Sequence, residues 1–342
     1  MQYPLCRSSP RGSRRLFEPM LAVAACTLAS ALLAAPAQAQ PQNFPSRTVR
    51  IVVPFPPGGS ADIAARLIAQ RLTETLGQSA VVENRSGASG TIGVGEVVRS
   101  APDGHTLLMT TGDFITVPAR LFPTMPFEPR KALLPIMRVV SVPLVLLGHK
   151  GAPFADIKQM VAAAKAAPGK YTYSSPGSGT VNQIVMEGLA LDAGIKLLQV
   201  PYRGGAPAVT AVTAGEVQMS ITGPATATTA IQSGTVRALS LMTKERPPFI
   251  KDIPTIAEQG YPNIDGSLFV GLYATAKTPP ALAERIGQEV RKILDEPAVR
   301  ERLNAVGLDV APLMGEAFRD YIKATGEHYE QVVKAANIEP NR

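Results

Sequence analysis

Residues 51–62 read Ile51-Val52-Val53-Pro54-Phe55-Pro56-Pro57-Gly58-Gly59-Ser60-Ala61-Asp62, and their order decides the fold class. Ile51-Val52-Val53 is a short β-branched apolar run, the pattern of a buried parallel strand. Pro54, Pro56 and Pro57 then end pairing, because proline brings no N–H to a ladder. From Ser60 onward Ile63, Ala64, Leu67, Ile68, Leu72 and Leu76 recur on one helical face, and Gly77 stands at the C′ position. A strand that turns through glycines into a helix leaves the N–H groups of Gly58, Gly59, Ser60 and Ala61 at a helix N-terminus, where the backbone favours an anion. The same residues also fit an ordinary strand–helix turn. Asp62 in the first turn would repel an anionic ligand, so its expected part is to turn back and cap loop N–H groups.

Upstream, Arg7, Arg11, Arg14 and Arg15 precede an apolar run from Met20 to Ala35, and Ala37-Gln38-Ala39 has the small-x-small form of a cleavage site. Residues 1–39 read as a signal peptide, too short and too Ala-rich for a membrane span. Ser13-Arg14-Arg15-Leu16-Phe17 fits a twin-arginine export signal as well as an ordinary Sec n-region. Val23-Ala24-Ala25-Cys26 looks like a lipoprotein cleavage box, but the apolar run continues well past Cys26. Cleavage near Ala39 removes Cys6 and Cys26, and with them any disulfide or thiol chemistry. It also removes four of 34 Lys and Arg and one of 27 Asp and Glu, leaving 30 against 26. So small and dispersed an excess argues against nucleic acid, which needs a clustered basic face. No stretch after residue 39 is long and apolar enough to span a bilayer. The expected product is a soluble, exported, core-forming protein, expected to be a monomer.

Downstream, strand and helix patterns alternate. Strands are expected at 49–53, 80–82 and 106–110, with helices at 60–76 and 91–100, and one strand pattern runs from Arg138 to Gly148. The alternation repeats from 153 to 243: helix 154–167, strand 171–174, a Gly/Ser loop at 175–180, helix 181–193 and strand 196–200. Helix 205–214, strand 217–221, helix 224–233 and strand 235–242 complete it. An apolar run at 267–273 and helices at 280–294, 297–305 and 315–336 close the chain. The pattern predicts two doubly wound α/β lobes with parallel sheets, 40–145 plus 269–342 and 146–268, joined by two crossing connections around a cleft.

Candidate chemistry is sparse. His105, His149 and His328 lie far apart and in no zinc spacing, and His105, after Asp103-Gly104, reads as a solvated turn residue. There is no G-x-S-x-G elbow and no P-loop. Gly177-Ser178-Gly179-Thr180-Val181-Asn182 begins like a dinucleotide fingerprint, but Asn182 stands where the third glycine belongs. It reads either as a second anion-receptive helix N-terminus or as a plain glycine-rich turn. Two such loops, one per lobe, suit a carboxylate clamped by neutral donors. Val200-Pro201-Tyr202-Arg203-Gly204-Gly205, at another strand end, places Tyr202 or glycine N–H groups at the cleft, unless Tyr202 is merely half-buried at a domain edge. The rival readings are a serine hydrolase working through the Ser174–Ser178 loop, and a sensor subunit for a membrane kinase.

Six short words, in this order, carry a family resemblance. They are Val49 to Asp62, Val82-Glu83-Asn84-Arg85 followed by Gly87, Ala101-Pro102-Asp103-Gly104, Val200-Pro201-Tyr202-Arg203-Gly204, Pro254-Thr255-Ile256-Ala257-Glu258 and Val270-Gly271-Leu272. On them the mature chain resembles the periplasmic substrate-binding receptors of tripartite tricarboxylate transporters, the Bug family, over nearly its whole length. The resemblance implies a type II periplasmic-binding-protein fold, capture of a small organic acid between the lobes, and delivery to membrane permease subunits, with no cofactor, no metal and no catalytic residue. It places Phe55, Pro57, Gly58, Gly59, Ser60, Thr111 and Asp113 in the first-lobe half of the site, with Asp62 ordering the loop and Phe55 as an apolar wall. Ser175, Gly177, Ser178, Gly179, Thr180 and Thr222 fall in the second-lobe half, with Tyr202 as the floor. The family usually has Asp at the strand end here written Thr222-Gly223, His at Gln183, Trp at Phe269 and Asn-Gly at Gly112-Asp113. Without an acid at Thr222, the expected ligand is a carboxylate lacking a free amine, such as a dicarboxylate or an aromatic acid. Asp113 is the residue that could take over an ammonium.

Overall fold

The computed structural model describes residues 44–121 and 126–339. The expected signal peptide, its cleavage site and both cysteines lie outside the described residues.

Strand β1, Val49–Val53, leaves through the proline–glycine loop into helix α1, Ser60–Leu76. The helix stops at Gly77, whose φ of 68° is left-handed and costs glycine nothing. Strand β2 (Ala80–Asn84), helix α2 (Thr91–Val98) and strand β3 (Thr106–Thr111) follow. Two one-turn helices, Asp113–Thr116 and Pro129–Ala132, then lead to β4, Leu133–Pro143. The second series runs β5 (Val145–His149), α3 (Ile157–Ala166), β6 (Thr172–Ser175), α4 (Val181–Ala193) and β7 (Leu198–Pro201). It ends with α5 (Gly205–Thr213), β8 (Met219–Thr222), α6 (Pro224–Gln232) and β9 (Val236–Leu241). The chain closes with β10 (Ser267–Thr275), α7 (Pro280–Asp295), α8 (Pro297–Ala305), β11 (Leu313–Met314) and α9 (Gly315–Ala335).

The strands form two sheets, ordered β11-β4-β10-β3-β1-β2 and β7-β6-β8-β5-β9. β1 is parallel to β2 and β3, and β6 to β7 and β8, as a doubly wound chain requires. The sheets are nevertheless mixed rather than parallel. β10 runs antiparallel to β3 and β4, and β5 antiparallel to β8 and β9. Both antiparallel strands are the ones that arrive from the other lobe. Each enters its sheet at the end where the parallel strands finish and must run the opposite way.

The single strand expected over 138–148 is therefore two strands in two sheets. Leu144 is the break. Its N–H donates to Gly266 O at 3.2 Å and its carbonyl accepts from Met242 at 2.7 Å, so outgoing and returning chain are bonded at the crossing. Gly266 is needed there: a Cβ would lie 2.8 Å from the Met242 carbonyl oxygen.

The C-terminal segment does not belong to the first lobe alone. Phe318 and Ile322 of α9 pack with Val52, Leu108 and Phe269, whereas Tyr329 and Val333, with Ile338 beyond it, pack with Met160, Tyr173 and Ile184 of the second lobe. His105 also departs from expectation. It is 3% exposed, its Nε2 accepts the Ser46 N–H at 3.1 Å, and its ring lies 5.2 Å from that of Phe44. Asp103 accepts the His105 N–H at 3.0 Å, and this turns the ring inward to hold the start of the described chain. Among the described residues no helix is long and apolar enough to cross a membrane.

Candidate ligand-binding site

In the first lobe, the loop after β1 is held by one carboxylate. Asp62 is 3% exposed, and its Oδ2 accepts the Gly58 N–H at 2.9 Å. Arg66, one turn along α1, pairs with it at 3.0 Å, and Asn84 donates both to Asp62 Oδ1 at 2.9 Å and to Phe55 O at 3.1 Å. Burial opposes ionisation of Asp62, but the bonds from Arg66, Gly58 and Asn84 outweigh it and hold the carboxyl below its ordinary value. Asp62 thus ties the loop to the start of α1 and to Asn84. The cost is that Gly58 no longer has a free N–H, which leaves Gly59, Ser60 and Ala61 to face a ligand at the first turn. Phe55, half-buried, stands 6.1 Å from Phe114 at the edge of this loop, and Pro57 is exposed.

The second-lobe loop uses the same position with a neutral group. Gly179 donates to Gln183 Oε1, as Gly58 does to Asp62, each glycine one residue before the N-cap and each acceptor at the third helical position. The remaining hydroxyls turn inward. Ser175 Oγ and Thr180 Oγ1 both donate to the Gly177 carbonyl, at 3.0 and 2.9 Å. Gln199 Nε2 adds bonds to Ser175 Oγ at 2.7 Å and to Gly177 O at 3.2 Å. The side chains of Ser175 and Thr180, and the N–H of Gly179, are therefore loop fasteners rather than ligand donors. Sequence reasoning missed Gln199, which sits mid-strand in β7 with no motif around it.

Tyr202 is not the floor of the cleft. Its ring packs against the apolar cluster of Val145, Val209 and Val212, and its hydroxyl donates to Glu216 Oε2 at 3.0 Å, beyond the far end of α5. What the Val200–Gly204 word supplies is backbone: Tyr202 N–H to Ser175 O at 2.9 Å and Gly204 N–H to Pro176 O at 3.1 Å. These bonds extend the β6–β7 pairing past the strand ends and join the two loops. Thr222 is 2% exposed, below Gly205, whose Cβ would stand 3.3 Å from Thr222 Oγ1.

The two lobes meet at Asp113. It opens the turn after β3, with Thr111 as the last residue of that strand, and its Oδ1 accepts the N–H of Val181, the first residue of α4, at 3.3 Å. Burial raises the Asp113 carboxyl above its ordinary value. No ion pair to Asp113 occurs among the described residues, and no group of His, Cys, Asp and Glu there could hold a metal. The histidines have other attachments: His105 on Ser46, His149 Nδ1 accepting from Gly151 at 3.1 Å, and His328 on α9. Ser174, fully buried, donates its hydroxyl to Ala208 O at 2.7 Å.

Two mixed α/β lobes joined by paired crossing strands make this a receptor of the type II periplasmic-binding-protein fold. The periplasmic binding protein BugD is 31% identical, with a TM-score of 0.75 over 87% of this chain and 100% of that one. The R. palustris protein Rpa4515, solved with adipate, is 28% identical, with a TM-score of 0.79 over 87% and 100%. MatC (Rpa3494) from Rhodopseudomonas palustris, solved with bound malate, is 30% identical, with a TM-score of 0.73 over 85% and 100%. The family model TctC, tripartite tricarboxylate transporter family receptor, matches residues 64–338, and the chain belongs to that family.

Proposed function

We propose that this chain is an exported solute receptor that captures a small organic carboxylate between its lobes and delivers it to the permease of a tripartite tricarboxylate-type transporter. The observation that carries the reading is the pair of like-built helix N-termini, at Gly58–Asp62 and Gly179–Gln183, each fastened by its own third helical residue. A pre-set N-terminus of this kind receives a carboxylate without reorganising. The adipate and malate bound to two relatives support the same ligand class. Ser174 and Ser175 serve as hydrogen-bond donors within the second lobe, which favours binding over ester hydrolysis.

A thermal-shift screen of the purified exported chain against organic carboxylates tests this, because a ligand that binds only the folded state raises the unfolding temperature by mass action. Stabilisation by a carboxylate, with no turnover of model esters, is the expected result. The absence of any stabilising carboxylate would overturn it. Co-purification with a permease rather than with a kinase ectodomain decides between delivery and sensing. The intact mass of the exported protein, expected to begin near Gln40, decides the export step.

A further inference from the structure

We propose that Asp113 fills the second-lobe anion seat with the protein's own carboxylate, so that the cleft takes a ligand with one carboxylate and a hydrogen-bond-donating or cationic far end. The inference rests on the carboxylate-receptor reading and names the ligand class for it.

The two seats differ in charge. At α1 the acid in the loop is neutralised, since Arg66 pairs with Asp62 at 3.0 Å, and the first-turn N–H groups remain for a ligand. At α4 the corresponding side chain, Gln183, is neutral, and the carboxylate comes instead from across the cleft, on the Val181 N–H. No cation offsets it among the described residues, so its compensation comes from neutral groups, the helix N-terminus among them.

Asp113 is also held where it stands. Gly112 donates its N–H to Phe269 O at 2.8 Å, and a Cβ at Gly112 would lie 2.3 Å from the Phe269 ring. Arg130 fastens the same turn from the other side, donating to Ile115 O at 2.7 Å and Thr116 O at 3.0 Å. The backbone that carries the carboxylate has no room to withdraw. A diacid reaching from α1 to α4 would press its second carboxylate against Asp113, and two carboxylates in one seat cannot both stay ionised. A hydroxyl, amide N–H or ammonium meets the lone pairs that Val181 leaves unused. Thr222, buried below Gly205, adds no charge. This adds an ammonium to the far ends expected from Thr222 alone and disfavours the diacid.

The test uses the full exported chain and two matched series. One comprises adipate, hexanoate, 6-hydroxyhexanoate and 6-aminohexanoate; the other comprises succinate, butyrate, 4-hydroxybutyrate and 4-aminobutyrate. In calorimetry the hydroxy or amino acid is expected to bind at least about tenfold tighter than the diacid of equal length, the factor set by one unit of forced protonation. Asp113→Asn is expected to narrow or reverse that order. Should Asp113→Asn fail to fold, Val181→Pro removes the helix-first N–H along with a buried valine side chain, at a position that accepts proline after Thr180 with its ψ of 160°. Discrimination against the diacid must then persist, because the charge remains. A diacid that binds the wild type as well as the donor-bearing acids, or an unchanged order in Asp113→Asn, overturns the inference while leaving a carboxylate receptor. If no member of either series binds while another carboxylate stabilises the chain in the thermal-shift screen, the inference falls and the receptor reading stands.

Discussion

Gly179 donates its N–H to Gln183 four residues on, at 2.7 Å, and this one bond ties a glycine loop to the helix it opens. The loop and the first turn of α4 therefore behave as one rigid piece before any ligand arrives. Gln183→Leu would leave the buried Gly179 N–H without an acceptor, a loss of about 1–3 kcal/mol. Gln183→Glu keeps the acceptor and suits a helix N-terminus, so the fold should hold, but its charge stands beside Asp113 and should weaken carboxylate binding. Chemical denaturation and calorimetry on the two variants separate these outcomes. Equal stability of Gln183→Leu and wild type would mean the bond holds nothing.

Gly58 and Gly59 answer differently to a side chain. Gly58 has φ +93° and Gly59 has φ −81°, with nothing within 4 Å of a Cβ at either. Gly58→Val is expected to lose about 1–3 kcal/mol of stability through backbone strain. Gly59→Val should fold normally and yet lose ligand binding, since its isopropyl group would stand where the ligand meets the first-turn N–H groups. Thermal unfolding with and without ligand reads both effects, and undiminished affinity in Gly59→Val would remove this loop from the site.

Acid should weaken the first lobe and relieve Asp113 at the cleft. Glu83 is held down to about 2, first by its bond from Arg50 and then, against burial, by Arg85; Asp62 is likewise depressed. Stability from a depressed acid is complete above the unfolded value, near 4.5 for Glu83, and is lost as pH falls toward the folded one. Asp113 has the opposite sign. Its raised carboxyl means that folding is penalised as pH rises through the ordinary aspartate range, so Asp113→Asn should stabilise the ligand-free protein at pH 7 and lose that advantage in acid. Asp62→Asn should lower stability at pH 7 and flatten its decline below pH 5. Unfolding temperatures across about pH 2.5–7 decide, and parallel slopes for the two variants would contradict both assignments.

Gly112→Ala is expected to damage the site through the core. The added Cβ would meet the fully packed Phe269 ring, which stands edge-on to Phe318 at 5.7 Å and to Tyr321 at 5.4 Å. Overpacking of this kind costs about 1–3 kcal/mol and should displace the neighbouring Asp113. Phe269→Leu in the same chain should restore much of the stability. If Gly112→Ala alone were as stable as wild type, the turn would have more freedom than its packing allows.

Much of this was legible residue by residue. α1 and α4 begin and end where glycines and apolar spacing put them, because local chemistry alone sets those termini. Asp62 was legible as a capping residue for the same reason. The break at Leu144 was not, since Val139 to Leu147 are almost all apolar and pairing across the crossing, not composition, divides them. Tyr202 and His105 were misplaced because a tyrosine or histidine at a turn takes its direction from a distant partner, Glu216 in one case and Ser46 in the other. Gln199 carried no signal at all. Its importance arises only because β6 and β7 are neighbours.

α9 has a consequence for the order in which the chain can finish folding. Its 21 residues extend about 31 Å, and its last turns supply Tyr329 and Val333 to a core whose earlier members run from Val117 to Ile264. During synthesis the second lobe therefore waits, partly open, for the last turns of α9. A chain cut short by translation arrest or trimmed by a protease after Ile322 would display Met160, Tyr173 and Ile184 to solvent, a surface that quality-control proteases and chaperones recognise. The presence of α9 is thereby checked by the fold itself.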